Sequence, residues 1–203
     1  MTDVAIIRTG AANLASVCAA MDRCDARWRL VETGTDAASA DRLVLPGVGS
    51  FGAVMRRLDA QGLIDPLRAR IESGAPTLCI CLGMQALLEG SDESPQAAGL
   101  GVAPGRAEAF EGVRRPQLGW NAVEPDDGCA LLRPGSACFA NSYRLTEAPR
   151  GWNVAWAEHG GRFVAAMERG AVLACQFHPE LSGAWGRALL ERWLALEPAE
   201  APC

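Results

Sequence analysis

The strongest constraint on the fold is a strand-to-helix turn predicted at Cys81. A short apolar run of strand-forming residues ends at this cysteine, and Gly83 follows before a helical pattern begins. Such a turn projects a thiol at the carboxyl edge of a sheet, where the free N–H groups of a helix start stabilise a thiolate. The alternative is a buried strand cysteine followed by an ordinary loop glycine.

The first half of the chain alternates between strand and helix patterns. Residues 4–7 and 42–45 are apolar runs that predict strands, whereas residues 14–24 and 51–58 show helical spacing. Asn13 occupies the position of a helix cap. This alternation predicts a parallel sheet covered by helices, with functional loops at the carboxyl ends of its strands.

From about Gly99 the pattern changes to short strands separated by glycine, proline and polar turns. These segments predict a mainly antiparallel portion with a hairpin turn at residues 159–161, followed by a closing amphipathic helix at 185–196. Residues 197–203 are expected to form a loose tail. We interpret residues 1–203 as one α/β domain. The strands predicted in the antiparallel portion are 137–139, 152–156, 163–168 and 172–177.

The composition excludes several classes of function. The formal net charge of −5 argues against a nucleic-acid-binding protein, which normally carries a basic face. All 19 basic residues are arginine. The absence of lysine excludes a Schiff-base lysine and the lysine of a phosphate-binding loop.

The expected compartment is the cytoplasm. The amino terminus has no basic flank before its apolar run, and no stretch is long and apolar enough to span a membrane. The eight cysteines form no paired framework, which favours a reduced chain. Cys79 and Cys81 are expected to face the same side of one strand, but with two histidines in the chain we expect no metal site.

A cysteine nucleophile needs a base, and the chain offers two histidines. His159 lies in a predicted turn, which favours a solvated loop residue. His178 follows a buried apolar run, and Pro179 is expected to keep the segment extended, so that Glu180 lies on the same side. The carboxylate would then hold the imidazole in one tautomer, although His178 read alone could also be an ordinary strand-end residue.

Attack on an amide carbon places negative charge on oxygen, which requires N–H donors. The Leu82 N–H at the predicted helix start is one candidate donor. The loop at residues 46–49 offers Val48 and Gly49 as further candidates, because glycine allows close backbone approach. Alternatively, this loop is only a connection between a strand and a helix.

Taken together, the motifs resemble those of the class I glutamine amidotransferases. More narrowly, the chain is similar to the glutaminase subunits of imidazole glycerol phosphate synthases, over nearly its whole length. The resemblance implies a flavodoxin-like mixed sheet with helices on both faces and an antiparallel C-terminal portion. It rests on residues 45–52, 81–85, 119–121, 142–143 and 176–183, which occur in the order and spacing of the family.

The resemblance also implies a mechanism without a cofactor. Cys81 would attack the carboxamide of glutamine, and His178, oriented by Glu180, would accept the thiol proton and pass it to the departing ammonia. Water would then hydrolyse the glutamyl thioester. The positions that would surround bound glutamine are Gln85, Ser142 and Tyr143.

A partner protein is implied in the same way. Ammonia would pass through a channel into a (β/α)₈-barrel cyclase subunit, which makes imidazole glycerol phosphate and an aminoimidazole carboxamide ribotide in histidine biosynthesis. Neither nucleic acid nor membrane is expected as a partner. The residues that would lie on the cyclase side are Asn13, Trp120, Asn121 and Leu181.

Several positions depart from the family pattern, which leaves open how the glutaminase is switched on. Two alternatives therefore remain: a glutaminase that supplies another synthase, such as the one for pyridoxal phosphate, or a non-catalytic regulatory protein with the same fold. The sequence of residues 46–50 disfavours a glutaminase for another synthase. The presence of Cys81, His178 and Glu180, which together form the expected catalytic triad, disfavours a non-catalytic protein. The departures are Arg8, Ala12, Cys79, Gln117, Leu118, Asn141 and Leu181.

Overall fold

The structure, a computed structural model, describes residues 2–9 and 13–196. Ala12 and the predicted tail at 197–203 lie outside the described residues. The strands are β1 (Asp3–Ile7), β2 (Arg27–Val31), β3 (Arg42–Gly47), β4 (Thr77–Cys81), β5 (Gly90–Ser91), β6 (Arg106–Ala109), β7 (Gln117–Pro125), β8 (Gly135–Asn141), β9 (Tyr143–Arg144), β10 (Asn153–Glu158), β11 (Arg162–Arg169) and β12 (Val172–Cys175). The helices are α1 (Leu14–Arg23), α2 (Gly34–Ala38), α3 (Phe51–Ala60), α4 (Ile64–Glu72), α5 (Leu82–Gln85) and α6 (Gly183–Leu194).

A nine-stranded mixed sheet organises the molecule in the order β2-β1-β3-β4-β12-β11-β10-β7-β8. The strands from β2 to β12 in this order are parallel, and those from β12 to β8 are antiparallel. A second sheet contains β5, β6 and β9. The predicted α/β fold with an antiparallel C-terminal portion is confirmed.

Helices cover both faces of the large sheet. Along β1, Ala5 and Ile7 join one apolar cluster, while Val4 and Ile6 join the other. The first cluster includes residues of α3 and α4, and the second includes residues of α1 and α6. Alternate side chains of a strand point to opposite faces, so both faces of β1 are buried, as parallel sheets require.

The structure corrects two local expectations. Cys79 and Cys81 do not face the same side, because Cys79 packs in the first cluster and Cys81 in the second. The backbone at Cys81 has a φ of 55°, which breaks the alternation of the strand. The closing helix begins at Gly183 and ends at Leu194, so it is shifted toward the amino terminus relative to the prediction.

Within residues 2–9 and 13–196, no helix combines the length and apolar character needed to cross a membrane.

Candidate active site

Cys81 is the last residue of β4, and α5 begins at the next residue. Its φ of 55° is unusual for a residue with a side chain, and such strain is concentrated at functional sites. The cysteine is 6% exposed and lines a pocket of about 220 Å³. The predicted strand-to-helix turn is therefore present, and its thiol opens into a cavity.

Two glycines let the neighbouring strand β3 approach this turn. A Cβ atom on Gly83 would lie 2.1 Å from the carbonyl oxygen of Leu45, and one on Gly47 would lie 2.7 Å from the Gly83 nitrogen. The closest obstacle to a side chain at Gly83 is therefore the backbone of β3. This contact places Val48 and Gly49 in the lining of the cysteine pocket.

His178 and Glu180 form a buried pair beside the cysteine. Nδ1 of His178 lies 2.7 Å from Oε1 of Glu180, and both residues are buried. The segment between them is not extended as predicted, because Pro179–Leu181 form one turn of 3-10 helix. Proline is well tolerated in the first turn of a helix, where its missing N–H has no partner to lose.

The electrostatics of the site favour a charged imidazole. Burial alone would lower the pKa of His178, but hydrogen bonds with the side chains of Cys81 and Glu180, together with their charges, raise it from 6.5 to about 10. Cys81 and His178 line the same pocket, so the thiol and the imidazole belong to one site. At neutral pH the imidazole is protonated and can donate to the sulfur.

A chain of amide side chains extends behind the sulfur. Nε2 of Gln176 lies 3.7 Å from Sγ of Cys81, and Oε1 of Gln176 accepts from Nε2 of Gln85 at 2.8 Å. Nε2 of Gln85 also lies 3.3 Å from the carbonyl oxygen of Tyr143. Both glutamines are buried, so this network fixes one wall of the pocket. The sequence did not indicate Gln176 as a site residue, although it begins the motif at residues 176–183.

The pocket unites most, but not all, of the predicted binding residues. Ser142 is not among the residues that line it, and its carbonyl oxygen accepts a hydrogen bond from the Phe110 N–H. In the described part of the chain, no group of three or more His, Cys, Asp or Glu side chains could hold a metal ion. The lining residues are Val48, Gly49, Cys81, Leu82, Gln85, Glu93, Ala140, Asn141, Tyr143 and His178.

Glu93 is the charged residue of the pocket that the sequence did not indicate. Its Oε2 accepts from the Phe51 N–H at 2.5 Å, and Oγ of Ser94 accepts from the Gly52 N–H at 3.1 Å. These bonds satisfy the first N–H groups of α3, which Ser50 does not cap with its side chain. The carboxylate thus lines the same pocket as Cys81 and caps the helix that follows the loop at 47–49.

An exposed apolar surface lies next to the triad segment. Leu118, Trp120 and Leu181 are 67%, 61% and 42% exposed, and we call these three residues the apolar patch. A Cβ atom on Gly183 would lie 3.6 Å from Cη2 of Trp120, so the indole lies against the start of α6. Exposed apolar groups of this size on neighbouring segments are typical of a protein-binding surface.

The other two residues predicted on the partner side form hydrogen bonds within the chain. Asn13 caps α1, because its Oδ1 accepts from the Ser16 N–H at 3.4 Å. Nδ2 of Asn121 donates to the carbonyl oxygen of Glu158 at 2.8 Å. The predicted cap is confirmed, and the interface role of both asparagines stays a prediction.

The departures from the family pattern occupy different environments. Arg8 pairs with Glu32 at 3.2 Å on the surface, whereas Cys79 is fully buried and faces away from the cysteine pocket. Asn141 lines the pocket and donates to the Tyr143 carbonyl at 3.0 Å. The departures therefore do not share one location in the structure.

Comparisons with known proteins identify the family. The model of the class I glutamine amidotransferases matches residues 7–195. Three relatives are named imidazole glycerol phosphate synthase subunit HisH. The relative from a Synechococcus strain is 37% identical, over 98% of this chain and 97% of its own. A relative from Thermus thermophilus is 40% identical over 91% and 93%, and the Xanthomonas axonopodis relative is 40% identical over 97% and 98%.

Solved structures share the fold at lower sequence identity. A structure described as a glutamine amidotransferase superposes with a TM-score of 0.74 at 21% identity, covering 94% of this chain and 96% of its own. A second, described as PurLQS from Thermotoga maritima, has a TM-score of 0.74 at 15% identity, over 95% and 97% of the two chains. The strand-to-helix cysteine, the matched family model and these relatives agree: the chain belongs to the class I glutamine amidotransferases.

Proposed function

We propose that this protein hydrolyses glutamine to glutamate and ammonia as the glutaminase subunit of an imidazole glycerol phosphate synthase in histidine biosynthesis. The observation that carries the proposal is that Cys81 and His178, which is paired with the buried Glu180, line the same small pocket. The names of the relatives support the choice of synthase.

The reaction follows from the protonation state of the pair. The sulfur of Cys81, with its proton held by His178, attacks the carboxamide carbon and forms a C–S bond. The imidazolium of His178 then protonates the leaving nitrogen as the C–N bond breaks, which releases ammonia and leaves a glutamyl thioester. The neutral imidazole next takes a proton from water, which attacks the thioester and frees glutamate and the thiol. Glu180 keeps the imidazole in one orientation throughout.

The oxyanion of each tetrahedral intermediate needs donors beside the sulfur. The N–H of Leu82 lies at the start of α5, next to the nucleophile, and Val48 and Gly49 line the same pocket. These three residues are the proposed donor set, since main-chain N–H groups at such a position stabilise developing negative charge.

Glutamine recognition is proposed to use three polar residues of the pocket lining. The carboxylate of Glu93 offers a counter-charge to the α-ammonium group of the substrate. Gln85 and Tyr143 line the pocket near the sulfur, where the carboxamide must lie. Ser142 does not line the pocket, and its carbonyl oxygen accepts from the Phe110 N–H, so Tyr143 is the residue of this pair proposed to contact glutamine.

The partner is proposed to be the (β/α)₈-barrel cyclase subunit, in the cytoplasm, with the apolar patch in the interface. The relatives are named as subunits of a synthase, which supports a second chain. Leu118 and Trp120 project from β7, and Leu181 follows the triad glutamate. A partner on this surface would lie close to the departing ammonia. Asn13 and Asn121 are proposed at the margin of the same interface.

Ammonia release from glutamine tests the proposal, with the chain alone, with the cyclase and with Cys81→Ala. We expect little release alone, strong stimulation by the cyclase and loss on substitution. Cys129→Ala is the matched control, because that cysteine lies in a distant loop and contacts the Val154 carbonyl. Stimulation only by another synthase would assign the chain to that synthase, and no release with any partner would indicate a non-catalytic protein.

A further inference from the structure

The main chain of the catalytic histidine is attached to strand β8 on both sides. The His178 N–H donates directly to the Cys138 carbonyl oxygen at 2.9 Å. On the other side, the Cys138 N–H donates to Oγ of Ser182 at 3.0 Å, and this hydroxyl donates to the His178 carbonyl oxygen at 2.6 Å. The serine hydroxyl therefore links the same two residues a second time, beside the direct hydrogen bond of their antiparallel bridge.

Ser182 does not perform the function that its position in the sequence suggests. It precedes α6, where serine usually caps the helix by accepting a bond from a main-chain N–H. Here its side chain makes no cap bond, and the residue is 1% exposed. The hydroxyl is instead committed, as both donor and acceptor, to Cys138 and His178.

This bridge supports His178 where the regular sheet no longer does. Strand β12 ends at Cys175, so the histidine lies beyond the ladder that fixes the preceding residues. Its ring must still contact Cys81 and Glu180 at the same time. Errors of a fraction of an ångström in such a geometry lower catalytic rates, so a second main-chain attachment has a direct catalytic consequence.

We propose that Ser182 is a positioning residue for His178, whose hydroxyl holds the histidine main chain on β8 and thereby sets the orientation of the imidazole toward Cys81. The inference rests on the proposed function, because it assumes that the cysteine and histidine act together. It adds to the triad a residue that touches neither substrate nor sulfur.

The first test compares Ser182→Ala with Ser73→Ala. Ser73 is the matched control because its hydroxyl also donates to a main-chain carbonyl, that of Arg70, at the end of α4 and away from the pocket. With the cyclase present, we expect Ser182→Ala to lower kcat by about tenfold with KM changed by less than about twofold. Ser73→Ala should leave both parameters unchanged. Unchanged kcat in Ser182→Ala would overturn the proposal.

A second readout needs neither glutamine nor the cyclase. The rate of Cys81 alkylation by iodoacetamide, followed against pH by mass spectrometry, reports how the cysteine and histidine share their proton. We expect Ser182→Ala to change this pH dependence, whereas Ser73→Ala should reproduce the wild-type curve. If the wild-type chain releases no ammonia, the proposed function fails, but this comparison still decides the role of Ser182.

An isosteric pair separates the hydroxyl from packing. Ser182→Thr and Ser182→Val have the same shape, and they differ in the hydroxyl group, so their comparison holds even if Ser182→Ala does not fold. We expect the threonine variant to be faster than the valine variant by about the same tenfold factor. Equal kcat values and equal alkylation curves in the two variants would show that Ser182 has only a packing role.

Discussion

Nδ1 of His178 lies 2.7 Å from Oε1 of Glu180, within a segment that makes a single turn of 3-10 helix. Both side chains are buried, so the carboxylate determines which ring nitrogen faces it and leaves the other for Cys81. The side-chain partner that orients the base is therefore supplied two positions away in the same short motif.

Replacing the carboxylate by its neutral isostere should remove this control. We expect Glu180→Gln to lower kcat by about one to two orders of magnitude, because the amide neither carries charge nor enforces the tautomer. The steady-state rate of ammonia release in the complex measures this effect, and NMR titration of the imidazole should show a lower pKa for His178. A rate within about twofold of wild type would contradict the assigned role.

Stability should depend on pH through His178. Its pKa is raised from 6.5 to about 10, so its contribution is complete below about pH 6.5 and is lost as the pH rises toward 10. We expect the free energy of unfolding to fall across this window by a few kcal/mol at most, and the slope to be smaller in His178→Asn. The chain has no lysine, but its eight cysteines also titrate in this window.

Urea unfolding at about pH 6.5, 8 and 9.5 measures this dependence. The difference between wild type and His178→Asn isolates the contribution of the histidine, because all eight cysteines are present in both proteins. Parallel curves for the two proteins would show that the charged pair does not form in the free subunit.

The glycine contact between β3 and α5 should not tolerate a side chain. A Cβ atom on Gly83 would lie 2.1 Å from the Leu45 carbonyl oxygen, so we expect Gly83→Ala to lower the free energy of unfolding by about 2–4 kcal/mol and to abolish ammonia release. Gly74→Ala is the control, because it has open space and a φ of 76° and should cost only about 1 kcal/mol. Equal losses measured by urea unfolding would refute the steric argument.

Glu93 should affect substrate affinity more than chemistry. We expect Glu93→Gln to raise KM for glutamine by about tenfold, because the amide can still accept from the Phe51 N–H but offers no charge to the substrate ammonium. Ser94→Ala is the control that perturbs the same end of α3 through the Gly52 N–H. Similar kinetic changes in both variants would assign Glu93 to the helix alone.

The apolar patch should contribute to binding and little to folding. We expect Trp120→Ala to weaken binding of the cyclase by at least about tenfold, while its unfolding free energy changes by less than about 0.5 kcal/mol. Trp28→Ala is the matched control, because that tryptophan is 38% exposed on the far edge strand β2 and bonds to Asp22. Calorimetric titration gives both affinities, and equal affinities would place the interface elsewhere.

The sequence predicted those features that depend on local patterns. The turn at Cys81, the cap at Asn13 and the strand that precedes His178 each follow from residues close in the chain, and the structure contains all three. Alternation of strand and helix was sufficient to predict the parallel half of the sheet, because β-α-β connections bring strand ends to one edge.

Other features depend on contacts that no local pattern encodes. Glu93 reaches the pocket through an irregular segment that contains only the two-residue strand β5, so its sequence carries no signal of the destination. Pro179 was expected to keep its segment extended, but proline is equally suited to begin a helical turn. The opposite orientations of Cys79 and Cys81 result from one positive φ, which ordinary strand geometry does not anticipate.

The close approach of Gly47 and Gly83 has a mechanical consequence. At Gly47 and Gly83 the main chains of β3 and α5 approach each other closely, with the Leu82 side chain beside them. Any force that displaces the loop at 47–49 is therefore transmitted to the segment that carries the sulfur. We therefore expect a shift of this loop, which carries two of the proposed oxyanion donors, to move the nucleophile as well.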